Sequence, residues 1–129
     1  MLYDSSNLPF PILFMSALIR PVTQLLGVIF TVIGIAGFVM GGDMVLWFEV
    51  NMVHNIVHLA TGIIALWAAI SGKERLFLLI FGLVYALVAV VGFTMGGDIL
   101  GLFHANDADN YLHATIAVVC ILVGSSKKK

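Results

Sequence analysis

Asn51, Asn55 and His58 stand at spacings i, i+4 and i+7, along one face of a helix, and Asn106, Asn110 and His113 repeat the pattern 55 residues later. Amides and imidazoles so arranged have two uses. They can hydrogen-bond across helices, at roughly 0.6 kcal/mol for an average bond inside a membrane. They can also present nitrogen lone pairs, because a neutral imidazole keeps one. The first use predicts a structural polar network of Asn51, Asn55, His58, Asn106, Asn110 and His113 with no cofactor or metal. In it Asn51, and either Asn106 or Asp107, serve as helix N-caps. The second use has two forms. His58 and His113 can clasp a haem or another tetrapyrrole axially between helices. Alternatively His54, one turn before His58, joins His58, His113 and Asp109 around a transition metal, with His104 and Asp107 nearby in the chain. The polar network is the leading expectation. No Glu-x-x-His pair of the di-iron type accompanies the histidines, and no catalytic constellation is present, so the expectation is that the protein is not an enzyme. Cys120 sits in an apolar run that raises a thiol's pKa and leaves it inert.

The chain that must position these residues has 129 residues, 61% hydrophobic and 10% charged, with a mean hydropathy of +1.11. A soluble domain carries about 25% charged residues to meet water. Here the surface must meet lipid. Four apolar runs, 21–40, 52–70, 76–95 and 108–124, each approach the roughly 20 residues that cross a hydrocarbon layer about 30 Å thick. None shows the one-sided polarity of a soluble amphipathic helix. The first and third end in Gly-Gly-Asp, at Gly41-Gly42-Asp43 and Gly96-Gly97-Asp98. The prediction is an all-α integral membrane protein, a four-helix transmembrane bundle over residues 20–129. No room remains for a soluble domain, and no basic patch interleaved with aromatics suggests nucleic acid.

Charge sets the orientation. Arg20, the pair Lys73 and Arg75, and the closing Lys127-Lys128-Lys129 fall at three points that alternating spans place on one side. The other side carries Asp43, Glu49, Asp98, Asp107 and Asp109 and no Lys or Arg. Positively charged loops stay in the cytoplasm, so both termini are expected inside and the Gly-Gly-Asp loops outside. Trp47 and Tyr111 lie near the outer boundary, as interfacial anchors do. Residues 1–8 lack the positive n-region of a cleaved signal.

The polar faces belong to an internal repeat. At the 55-residue offset, eleven positions between Gly27 and Trp67 find an identical partner, among them Gly37 with Gly92, both Gly-Gly-Asp triplets, and both Asn-x-x-x-Asn-x-x-His faces. Chance pairing of apolar residues does not produce such matches in register. Each copy holds two spans, over about 21–71 and 76–124. The reading is therefore a tandem duplicated helical hairpin whose copies are related by a pseudo-two-fold axis along the membrane normal. Residues 1–19 lie outside the repeat. Their apolar stretch, Pro9 to Ile19, is too short to span and reads as an interfacial or partner-binding arm.

The run Asn51-Met52-Val53-His54-Asn55-Ile56-Val57-His58-Leu59, with the later Asn106, Asp109, Asn110 and His113, resembles a family of small four-span bacterial membrane proteins catalogued as a domain of unknown function. Its members share N-x-x-H-N-x-x-H-L and N-x-x-D-N-x-x-H segments. The resemblance covers roughly Leu26 to Gly124 and implies topology and a bacterial cytoplasmic (inner) membrane rather than an activity. The arm from Leu8 to Ile19 departs from the family's short basic start, which points to a specialised partner. The leading functional expectation is a structural or accessory subunit packing against other membrane proteins. A cofactor protein using the paired histidines is the alternative, and a small oligomeric transporter is the third reading.

Overall fold

A computed structural model describes residues 8–126. Helix α1 (Phe10–Ala17) leads through Leu18 into α2 (Ile19–Met40). A short hairpin, β1 (Met44–Val45) and β2 (Phe48–Glu49), leads to α3 (Met52–Ile70). Then come α4 (Glu74–Thr94), a second hairpin, β3 (Asp98–Ile99) and β4 (Phe103–His104), and α5 (Asp107–Ser125). Four helices are long and apolar enough to cross a membrane. Spans of 19 to 22 residues measure roughly 28–33 Å at 1.5 Å per residue, the thickness of the hydrocarbon layer. Large apolar side chains such as Val39, Ile63, Leu87 and Val118 are exposed on all four, so this is a multi-pass membrane protein in contact with the bilayer.

The first span differs from its expected bounds. The apolar run 21–40 starts at Pro21, yet α2 begins at Ile19 and places Pro21 in the first turn, where the missing N–H would have had no intrahelical partner. Leu18 is itself helical (φ −83°, ψ −13°), so Phe10–Met40 forms one apolar stretch of 31 residues. Ile19, counted with the arm, packs in the core beside Leu78, Phe81 and Val123. The closing lysines lie outside the described residues.

Small residues set the helix pairs. α2 lies on α3 because Gly34 presses the Leu59 backbone, where an added Cβ would stand 2.7 Å from the Leu59 nitrogen. α4 lies on α5 in the same way through Gly82 at Ile121 and Gly124 at Leu78. Without a hydrophobic force between helices in lipid, such close approach is what van der Waals packing can use. The two pairs meet through Phe30, Phe81 and Tyr85, whose rings stand 4.2 to 5.6 Å apart.

Each Gly-Gly-Asp turn ends its helix with two glycines at positive φ, 62° and 101° in the first copy and 63° and 91° in the second. A side chain there would be strained, which explains the repeated pair. The hairpins that follow are antiparallel, with Met44 opposite Glu49 and Asp98 opposite His104. Val45 and Ile99 are buried beneath them, so the hairpins roof the acidic end of the bundle.

Candidate metal centre

The N-caps of α3 and α5 are both asparagine. Asn51 Oδ1 accepts from the His54 backbone N–H at 2.9 Å, and Asn106 Oδ1 accepts from that of Asp109 at 3.0 Å. Asp109 Oδ2 returns a bond to the Asn106 N–H, completing a capping box. Each cap also reaches across to the other copy's hairpin. Asn106 Nδ2 donates to the Trp47 carbonyl at 3.0 Å, and Asn51 Nδ2 reaches the Leu102 carbonyl at 3.5 Å. Trp47 and Leu102 are themselves partners at the 55-residue offset.

These caps set the phase of α3 and α5, and the phase turns three imidazoles inward. His54, His58 and His113 are 1%, 6% and 3% exposed. Their rings crowd together, with 4.3 Å between the His54 and His58 centroids and 6.0 Å between His54 and His113. One ring nitrogen from each lies within 4.8 Å of the others. Phe30 meets the His58 ring edge-on at 5.1 Å, Tyr85 meets His113 in the same way, and Phe103 stacks on His54 at 4.5 Å.

The tautomer of His54 follows from its partner. Its Nδ1 is 2.8 Å from the Glu49 carbonyl oxygen, which can only accept, so Nδ1 carries the proton. Nε2 then holds the lone pair, and it is buried with no hydrogen-bond partner among the described residues, as are Nδ1 of His58 and Nδ1 of His113. An unsatisfied polar group in hydrocarbon costs several kcal/mol. A metal-binding histidine usually donates its other ring N–H to such a carbonyl, which fixes one nitrogen and frees the other.

The other expected residues divide. Asn55 and Asn110 are buried against Gly37 and Gly92, where an added Cβ would collide with each amide. Asn110 Nδ2 donates to the Ala105 carbonyl at 3.3 Å. Asp109 is buried, but its Oδ2 accepts the backbone N–H groups of Glu49 and Asn106, so it orders the roof and does not join the three imidazoles. His104 is exposed in the roof. Its Nδ1 bonds Glu49 Oε2 at 2.7 Å and its Nε2 meets the Gly96 carbonyl at 3.1 Å. The Glu49 carboxylate, helped by the Gly96 carbonyl, raises its pKa above the ordinary histidine value. Asp107 is exposed and caps nothing. Sequence reading missed Glu49, whose part is played by a backbone carbonyl, an atom that every residue type carries.

Beside the cluster a cavity of about 180 Å³ opens between α2 and α5, lined by His58 and His113 with apolar neighbours such as Phe30 and Ile116. The arrangement offers three buried imidazoles, with the Asp109 carboxylate also lining the cavity beside them.

No curated protein and no solved structure matches the chain. Residues 20–126 match the family described as Domain of unknown function (DUF4383). That match takes in both caps, all three imidazoles and the four spans, and the chain belongs to this family.

Proposed function

We propose that this protein is a non-enzymatic membrane bundle that holds a transition-metal ion through His54, His58 and His113. One observation carries the reading: among the described residues, three buried ring nitrogens converge within 4.8 Å while a nitrogen on each ring has no hydrogen-bond partner. A four-coordinate ion with nitrogen ligands at about 2.0–2.1 Å sets them roughly 3.4 Å apart, so small side-chain rotations close the site. Imidazole sets of this kind suit zinc, copper, iron or nickel. The dimensions favour an ion over a tetrapyrrole. The rings stand against one another, and the adjoining 180 Å³ falls below the roughly 300–1,000 Å³ of pockets that hold drug-sized molecules.

The test is metal content and Co(II) or Cu(I) titration of the purified protein in mild detergent. One ion per chain is expected, lost in His58→Gln and His113→Gln variants that remain folded. A folded wild type that binds neither probe overturns the reading.

A second reading rests on the arm. Phe10 and Phe14 stack at 6.2 Å on α1 and are 78% and 55% exposed, which suits an accessory subunit packing against another membrane protein. Deletion of residues 1–17 is expected to leave the bundle folded and to weaken co-purification with that protein. Unchanged co-purification would leave the arm in the lipid interface. Orientation follows the charges, with the end bearing Arg20, Lys73 and Arg75 in the cytoplasm of a bacterial inner membrane. A cysteine at Gly42 is expected to label from outside intact cells, and one at Ser126 to be protected.

A further inference from the structure

The two seams between the helix pairs are filled differently. Between α2 and α5 the basic end is closed by the chain itself, where Leu18 and Val22 pack onto the core and α1 touches both helices. Between α3 and α4 no segment among the described residues does so. A groove of about 340 Å³ runs there, floored by the buried Ala68, Phe81 and Tyr85 and rimmed by the exposed Ile64, Trp67 and Ile80. Lys73 lines its mouth at the basic end.

The groove has the size of one lipid chain. Val57 and Trp67, which bound it along α3, are ten residues apart, so it runs about 15 Å, half the hydrocarbon thickness and hence one leaflet. Its charge is placed for a headgroup. Among the described residues Lys73 has no acidic partner, since Glu74 faces Arg20 and Arg75 donates to the Gly124 carbonyl. Trp67, half exposed one turn from the end of α3, sits where indoles favour the headgroup level.

We propose that the α3/α4 groove binds one anionic glycerophospholipid of the leaflet at the basic end, with an acyl chain on Ala68, Phe81 and Tyr85 and its phosphate at Lys73. The seam that lacks a protein filler thus takes a lipid one.

The test reconstitutes the full chain in vesicles of phosphatidylglycerol or phosphatidylcholine, extracts it in mild detergent, and counts retained lipids by native mass spectrometry. One phosphatidylglycerol per chain is expected, with phosphatidylcholine retained less. Lys73→Glu is expected to lower phosphatidylglycerol retention on the order of tenfold, as reversing a charge at an anionic surface implies. Val84→Trp, at the half-exposed rim, is expected to exclude both lipids, with helicity and metal content unchanged in both variants. Equal retention of the two lipids, or retention unaffected by Lys73→Glu, overturns the proposal. A lipid-free, detergent-resistant dimer would also overturn it by giving the groove to a second copy.

Discussion

The two halves of the bundle repeat one hairpin but use one position differently. At the third position after the cap the first half has His54 and the second has Asp109, partners at the 55-residue offset. Asp109 completes a capping box and ties down the Glu49 backbone. His54 leaves its own cap open on one side and adds a third imidazole to the centre. Elsewhere the halves agree closely: Gly37 on Asn55 and Gly92 on Asn110, Phe30 on His58 and Tyr85 on His113. Agreement marks what packing demands of both copies. A donor set shared equally by two copies has an even number of members, so a three-nitrogen centre requires one copy to differ.

The most direct way to break this contrast is His54→Asp, which gives the first half the motif of the second. Loss of metal affinity on the order of 100-fold or more is expected, about 2.7 kcal/mol, with helicity retained. Metal titration checks it, and unchanged affinity would remove His54 from the centre.

Agreement between the halves is probed at the glycines. Gly37→Ala and Gly92→Ala should each destabilise by about 1–3 kcal/mol, because the methyl group overpacks a buried amide. Unfolding in mixed detergent reads both, and a large inequality would show that the halves pack differently. The caps sharpen the contrast at a smaller scale. Asn106→Ala should cost about 1 kcal/mol, and Asn51→Ala less, since only Asn106 belongs to a two-way box.

The smallest effect concerns Glu49 and His104, also partners at the repeat offset, which pair directly across the roof. The folded pKa of His104 is raised above its unfolded value of about 6.5. The pair's contribution is therefore complete below about pH 6.5 and fades as pH climbs through the raised value. Thermal unfolding should weaken over that interval, and the dependence should vanish in His104→Gln.

Much of the architecture is legible in the residue order. Apolar runs of span length, closed by Gly-Gly-Asp, mark the helices, and Asn51 and Asn106 mark two helix starts. The repeated glycines announce close contact, although their partners, Asn55 and Asn110, emerge only when the helices are paired. The N-terminal boundary reads poorly because Arg20-Pro21 looks like a stop, while a proline in a first turn removes no bond and Leu18 keeps the backbone helical. The three-imidazole centre is half legible. One-turn spacing places His54 near His58, but the linear pattern put Asp109 in the same set and could not show its carboxylate turned to backbone N–H groups. The hairpins' part in fixing His54 runs through a main-chain oxygen and leaves no trace in side-chain type.

The chemical neutrality of the three rings has a consequence for selection. No carboxylate or thiolate stands among them, and the Asp109 carboxylate that lines the adjoining cavity is engaged by the backbone N–H groups of Glu49 and Asn106, so an ion held by the three rings alone would gain no ligand charge. The Born penalty for one charge in a medium of dielectric constant near 4 is of order 20 kcal/mol before relaxation, and it grows as the square of the charge. The N-terminal ends of α3 and α5 add their positive dipole ends from the acidic side of the bundle. A divalent ion would face about four times the penalty of a monovalent one. A site of this kind would penalise valence before it expressed any ligand preference.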